Sequence, residues 1–281
     1  MRFKIIHETE YEFSKAVFLE PHYLMFKPKN RQHLNLESYS LELSIKPAGI
    51  SEQLDAEDNI VHFCWFEGMH KNIVIRSEAT VNSRPYNPFN FLIYPLYFNS
   101  IPFSYSDAII VLLQKYLTAE PIGKELHLFG KTILASINND TLSFLTALTI
   151  QIHDDFVVAS REEGVPYEPD KTFHLKKGSC RDLVWMQIQL LRTMGLASRF
   201  VSGYYYVDVE NPQYELHAWT EVFLPGAGWI GFDPSNGIIT GNTHIAVASG
   251  SHYLNTMPIS GTVRGDATSE LKTKLVIEVL A

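Results

Sequence analysis

Phe3, Ile5, His7, Thr9, Tyr11 and Phe13 alternate with mostly polar neighbours, and this two-residue period constrains the fold more than any other local feature. A side chain returns to the same face every second residue only in an extended strand. The pattern recurs where Leu41, Leu43 and Ile45 alternate with Glu42, Ser44 and Lys46. Residues 60–66 and 73–81 are short β-rich runs, and Asp55-Ala56-Glu57-Asp58-Asn59 reads as the turn before the first of them. One apolar face per strand suits a β-sandwich, or an antiparallel sheet packed on another layer. Residues 1–82 are therefore expected to form an all-β, sandwich-like domain.

Beyond it the period changes. Residues 83–105 are taken as a connector in which Arg84 to Phe103 hold Pro85, Pro88, Pro95 and Pro102 among seven aromatic residues, Tyr86, Phe89, Phe91, Tyr94, Tyr97, Phe98 and Phe103. Proline blocks regular structure while aromatic rings seek burial, so this stretch reads as an ordered connector lying across a domain interface. Helical spacing follows over 108–117 and 124–137. Thr141 reads as the N-cap of a third helix carrying Leu142, Leu145, Leu148, Ile152 and Phe156. The tail alternates Leu275, Ile277 and Val279 and reads as a closing strand. Residues 106–281 are taken as a second, α+β domain.

Composition narrows the function classes. With 46% hydrophobic and 19% charged residues the chain is globular rather than disordered. A net charge of -8 argues against nucleic acid as a general partner. No apolar run is long enough to span a membrane, and no export signal is read at the start, so a cytoplasmic setting is expected. The two cysteines, Cys64 and Cys180, are then expected to be free thiols.

Cys64, between Phe63 and Trp65, reads as a core residue. Cys180 stands differently, in Lys177-Gly178-Ser179-Cys180-Arg181-Asp182, where a loop enters a helix carrying Leu183, Val184, Gln187, Leu190, Leu191 and Met194, with Gly195 as its stop. A helix N-terminus offers unpaired N–H groups and partial positive charge, both of which favour a thiolate. The Cys180 amide is also a candidate donor to an oxyanion. Gly178 is read as leaving room for a substrate backbone.

His217 lies in a strand, Leu216 to Phe223, and Asp233 ends the next, Gly228 to Asp233. Whether they meet depends on the hairpin. If Leu224 faces Trp229, Asp233 falls on the wrong sheet face. If Phe223 faces Trp229, Asp233 lies diagonal to His217, about 7–8 Å away and within side-chain reach. The second register is expected, through a five-residue loop or a bulge of the same parity. Trp219 then shares the His217 face and is a candidate wall of the site. Tyr204 is a candidate to enter the cleft or the core. Metal ligation by His153 with Asp154 and Asp155, or by His244 with His252, lacks a defensible spacing, and no metal or cofactor is expected.

Gly178-Ser179-Cys180-Arg181-Asp182, His217-Ala218-Trp219-Thr220-Glu221-Val222 and Gly228-Trp229-Ile230-Gly231-Phe232-Asp233-Pro234-Ser235-Asn236-Gly237 together resemble the transglutaminase-like superfamily. The bacterial members, often described as candidate cysteine proteases, are the nearest likeness. Glu10-Tyr11-Glu12-Phe13 and Asp58-Asn59-Ile60-Val61-His62 are similar to their N-terminal β-domain, and Val201-Ser202-Gly203-Tyr204 also fits. The resemblance implies a papain-like α+β core, a cysteine helix on an antiparallel sheet. It implies Cys180 as nucleophile, His217 as general base and acid, and Asp233 as orienting carboxylate. Arg181 stands where the family often has glutamine, and Gly250-Ser251-His252-Tyr253 where it often has Arg-Asp-Tyr.

Such a triad makes a thioester from an amide. The expected substrates are peptides or proteins bearing amide groups, and the expected outcome is hydrolysis. Transfer to an amine, and a non-catalytic binding role on the same fold, remain open at this point.

Overall fold

The two-residue period becomes one of the longest elements of the molecule. In a computed structural model that describes residues 1–161 and 164–280, the alternating start is strand β1 (Arg2–Leu19), followed by β2 (His22–Leu24), β3 (Leu34–Leu43), β4 (Gly49–Leu54), β5 (Ile60–Trp65) and β6 (Met69–Ser83). Helices α1 (Asp107–Leu117), α2 (Lys124–Ser136) and α3 (Thr141–Asp155) come next. Then follow β7 (Val157–Val158), α4 (Pro169–Leu175), β8 (Lys177–Gly178) and α5 (Cys180–Thr193). The chain continues through β9 (Ser198–Tyr205), β10 (His217–Leu224), β11 (Gly228–Asp233), β12 (Ile238–Ile239) and β13 (His244–Gly250). It closes with β14 (Ile259–Ser260), β15 (Val263–Arg264) and β16 (Ser269–Leu280).

The first half is a sandwich. One sheet runs β15-β1-β6-β3, with β16 also paired to β1, and the other runs β14-β2-β5-β4. Phe13, Val17, Leu19, Leu24, Phe26, Cys64, Phe66, Ile73 and Ile75 fill the space between them. Cys64 is a core thiol, as its neighbours suggest, and burial pushes it up to about 11.

The division of the chain needs correction. The last three strands do not belong with residues 106–258; they complete the two sandwich sheets, with Ile277 opposite Ile5 and Ile259 opposite Leu24. The alternation of the tail marks a strand but carries no information about which distant edge it joins. The β1 edge would otherwise offer unpaired backbone groups along most of its length.

The second half layers helices on a five-stranded antiparallel sheet, in the order β12-β11-β10-β9-β13. This is the expected α+β arrangement. Leu183, Met186, Leu190 and Leu191 of α5 pack with Val222, Leu224, Ile230 and Phe232 of the sheet and with Phe144, Leu145, Leu148 and Ile152 of α3. Helix α5 is buried all round from Asp182 to Arg192. Among its polar residues, Gln187 donates to Thr149 Oγ1 at 2.9 Å, and Arg192 Nη2 donates to the Ser198 carbonyl at 2.8 Å. Gly195 turns out of the helix at φ +83°.

Two local readings shift. The N-cap of α3 is Asp140, whose carboxylate accepts from Ser143 N at 2.8 Å. Thr141 is the first helical residue, and its hydroxyl donates inward to the Phe98 carbonyl. The connector packs on the second-domain core through Ile93, Phe98 and Ile101 rather than lying across the domain interface. Phe89, Tyr94 and Tyr97 remain exposed.

The interface between the halves is built instead by Phe3, Ile5, Leu34, Val81 and Ile277 against Tyr204, Ile245 and Val247. The turn at 55–59 plugs into it. Glu57 accepts from Tyr116 Oη at 2.6 Å and Ser251 Oγ at 2.7 Å and pairs with Lys115 at 2.8 Å. Burial opposes its ionisation, yet those three partners hold the carboxyl at about 2. Among the described residues no helix is long and apolar enough to cross a membrane.

The start of α5 is fixed by Asp182, which has no solvent exposure. Its Oδ2 accepts from Ser179 N at 2.7 Å and Ser179 Oγ at 2.8 Å. Its Oδ1 accepts from Tyr167 N and Arg161 Nη2, both at 2.7 Å. The acid three residues into the helix thus ties down the capping residue, as in a capping box. Asp182→Asn turns one acceptor into a donor among donors. It should destabilise the protein by about 2–4 kcal/mol, read from urea unfolding. A chain ending at Thr268 should lose the cooperative thermal transition of the whole protein, because β1 then lacks one of its two partners over residues 2–13.

Candidate active site

Cys180 is the first residue of α5, His217 the first of β10 and Asp233 the last of β11, so the three meet where a helix start and two strand ends converge. The hairpin register decides it. Phe223 is opposite Trp229 and Thr220 opposite Phe232, the parity that places Asp233 toward His217. The loop is shorter than expected, because the ladder extends to Leu224 opposite Gly228. Ala227 N donates to the Leu224 carbonyl at 2.9 Å across Pro225 and Gly226, the latter at φ +87°. Proline followed by a positive-φ glycine is the signature of a type II turn. A side chain on Gly226 would also collide with the Leu92 carbonyl of the connector.

His217 Nε2 lies 2.7 Å from Asp233 Oδ2. The carboxylate is acceptor-only, so Nε2 carries the proton and donates, leaving Nδ1 for the sulfur. The His217 ring is hydrogen-bonded to the Cys180 side chain as well. Burial alone would depress the imidazolium, but the Asp233 charge and its hydrogen bond, with Cys180 adding to them, raise it to about 10. Asp233 has no solvent exposure. Burial disfavours its charge, yet His217 and His244 hold the carboxyl far below the usual range. Cys180 is half-buried and unpaired in any disulfide.

Two residues at the site escaped the sequence reading. Asn236 Nδ2 donates to Asp233 Oδ2 at 2.7 Å, while Ser235 N and Asn236 N donate to Oδ1 at 3.0 and 3.3 Å. His244 Nε2 lies 3.2 Å from the same Oδ2. The run His244-Ile245-Ala246-Val247 signals a strand, but nothing local says that its first residue points at Asp233. His244 and His252 do not act together: His252 lies edge-on to Trp185 and against Tyr253. His153 instead bonds the Ser235 carbonyl at 2.9 Å, bracing the loop after Asp233.

His217, Asp233 and His244 bring three potential ligand atoms within 4.8 Å of one another. Both imidazole nitrogens are engaged by one carboxylate oxygen, so a cation at this spot must break the hydrogen bonds that align His217.

The three residues expected to touch substrate offer it no surface. Tyr204 is 1% exposed, and its hydroxyl meets His7 Nδ1 of the sandwich at 3.2 Å. It is one residue beyond Gly203, the partner of His217, and so lies on the opposite side of the sheet. Trp219 does share the His217 side but is 2% exposed and sits edge-on to His244. It backs the histidines. Gly178 is buried, and a Cβ there would lie 2.7 Å from the Asp182 Cβ. The missing side chain makes room for Asp182, not for a substrate.

Residues 3–82 match the bacterial transglutaminase-like N-terminal region, and residues 130–234 match the transglutaminase-like superfamily. An uncharacterized protein of Mycobacterium tuberculosis is 23% identical over 290 residues, spanning 93% of this chain and 87% of its own length. A protein-glutamine gamma-glutamyltransferase of Pseudomonas aeruginosa is 30% identical over 103 residues, 32% of this chain and 15% of that protein. The crystal structure of a candidate cysteine protease from Cytophaga hutchinsonii superposes with a TM-score of 0.73 at 18% identity, covering 100% of this chain and 92% of that one. The two therefore share a fold. This chain belongs to the transglutaminase-like superfamily and carries the N-terminal region of its bacterial members.

Proposed function

We propose that the chain is a thiol-dependent acyl-transfer enzyme that hydrolyses amide bonds, those of peptides or proteins included. One observation carries the reading: His217 is pinned to a buried carboxylate through one nitrogen while its ring also engages a thiol at a helix start. That is the arrangement of an activated nucleophile, its base and an orienting group.

The Cys180 sulfur attacks the amide carbonyl carbon, and the carbonyl π pair moves onto oxygen. The Cys180 backbone N–H, in the first turn of α5, is the donor we assign to that oxyanion. The tetrahedral species collapses, the C–N bond breaks, and the His217 imidazolium gives its proton to the departing amine. A thioester and a neutral imidazole remain. Water then attacks the thioester carbonyl, His217 takes its proton, and the acid leaves as the sulfur recovers its electron pair.

A primary amine in place of water gives transamidation by the same steps. The short stretch shared with the Pseudomonas aeruginosa gamma-glutamyltransferase favours keeping this outcome in view. Both cysteines are unpaired, and a catalytic thiol persists best in a reducing compartment such as the cytoplasm, the setting we assign to it.

Iodoacetamide at pH 6 separates this reading from a non-catalytic binding role. Cys180 should be alkylated at least about a hundredfold faster than Cys64, as peptide mass spectrometry would record, because only the thiolate reacts. Equal, slow labelling of the two would sink the enzyme reading. Incubation with a peptide library and a primary-amine probe then distinguishes hydrolysis from amine transfer.

The pH dependence has a defined sign. The His217 imidazolium persists until pH rises through about 10 because Asp233 faces it. In Asp233→Asn the carboxylate is gone and burial remains, so the imidazolium is lost at far lower pH. Turnover should then fall by about 10³–10⁴-fold at pH 7–8, the scale of losing the orienting carboxylate in a triad. A variant that kept its rate across pH 6–9 would remove Asp233 from the mechanism.

A further inference from the structure

Asp233 Oδ2 has more partners than orientation of one imidazole requires: His217 and Asn236 at 2.7 Å and His244 at 3.2 Å. His244 is 4% exposed and opens β13, opposite Tyr205. Its other ring nitrogen, Nδ1, accepts the Gly241 N–H at 3.4 Å. That assigns the ring proton to Nε2, which donates to the carboxylate. Tyr205 stacks on the His244 ring at 4.4 Å, and Trp219 meets it edge-on at 5.3 Å.

We propose that His244 is a positioning residue of the triad, a fixed neutral donor that orients Asp233 and draws off part of the carboxylate charge that His217 feels. The proposal rests on the acyl-transfer reading above. The ionisable groups facing His244 are Asp233, His217 and Tyr205, with His33 of the sandwich coupled to it more weakly. Those facing His217 are Asp233, Cys180, Tyr205 and His244. Burial keeps His244 neutral despite the adjacent carboxylate. It therefore competes with His217 for Oδ2 without adding a second positive charge.

Without this donor the whole carboxylate charge falls on His217. The imidazolium then holds its proton more tightly and gives it up less readily to a leaving amine. The carboxylate also loses one of the contacts that set its angle.

Two variants separate this role from packing. His244→Phe keeps a ring against Tyr205 and Trp219 but removes the donor, whereas His244→Gln keeps a side-chain N–H. Both are compared with the wild type by the rate of Cys180 alkylation with iodoacetamide from pH 4 to 10, with thermal unfolding as the fold control. For His244→Phe the lower limb of the profile should move to lower pH, because a more tightly protonated His217 holds the Cys180 thiolate further into acid, with the neutral-pH rate within about threefold of wild type. His244→Gln should stay within about threefold of wild type with its limb in place. An unchanged profile in His244→Phe overturns the proposal. So does an equal loss in both variants that tracks their stability, because His244 then only packs. A wild type whose Cys180 labels no faster than Cys64 overturns the acyl-transfer reading itself, and this proposal with it.

Discussion

A carboxylate with no solvent exposure sits at the convergence of three strands, and much of the second domain is arranged to keep it charged. Moving such an ion out of water costs several kcal/mol unless its lone pairs are filled and an opposite charge is near. Asp233 has five donors: the side chains of His217, Asn236 and His244 and the amides of Ser235 and Asn236. Each demands something of the chain. His217 requires the even hairpin register. The two amides require a tight turn straight after β11, braced by His153 on the Ser235 carbonyl. A side chain at Gly237, where φ is +67°, would lie 3.0 Å from the His153 Cβ. His244 requires β13 to run beside β9 on the side of the sheet away from β10. Sheet order, loop and helix α3 are thus tied to a single charged group.

The sandwich domain is part of this arrangement. Glu221, on the same side of β10 as His217, is a second buried carboxylate, paired with Arg199 at 2.6 Å and with Arg31 of the sandwich at 3.2 Å. Burial works against its charge, and the two arginines keep it below the usual range. His7 and Tyr204 meet across the same boundary, and Asn59 Oδ1 accepts from Ser249 N at 2.8 Å. The first domain therefore supplies a counter-charge and hydrogen bonds that the five-stranded sheet lacks on its own. Such an interface is less tolerant of domain motion than the polar contacts usual between domains of one chain.

What could be read from the sequence was whatever has a local cause. The alternation at Phe3 to Phe13 forms β1, and the glycine after Met194 ends α5. The Cys180, His217 and Asp233 segments each carry a local signature, and strand parity together with the requirement that Asp233 meet His217 chose the hairpin register. What escaped depends on distant partners. The tail reads as a strand, but its pairing with β1 spans nearly the whole chain. Gly178 looks like room for substrate until Asp182 is seen to fill that room. Tyr204 and Trp219 have the right neighbours in sequence, and only packing shows that both are covered. His244 is an ordinary strand histidine in sequence; its role comes from a carboxylate eleven residues away, on a strand that is not its neighbour.

The structure also shifts the weight of the argument for a reactive thiol. In sequence the case leans on the helix start, where the dipole is worth about 0.3–1 kcal/mol and at most about 2. An acid in the first turn works against that small term, and Asp182 stands there, although four donors occupy its charge. The imidazolium is the larger source. Burial works against the charge, yet Asp233 and its hydrogen bond raise the His217 imidazolium well above an ordinary histidine, to about 10. That rise is possible because Asp233 itself cannot take the proton. The helix start then serves a geometric end: it fixes the sulfur against a ring whose charge is set elsewhere and, in the proposed reaction, leaves first-turn amides beside the carbonyl under attack. Orientation comes from α5 and positive charge from the sheet, which is why the proposed chemistry needs both layers of the fold.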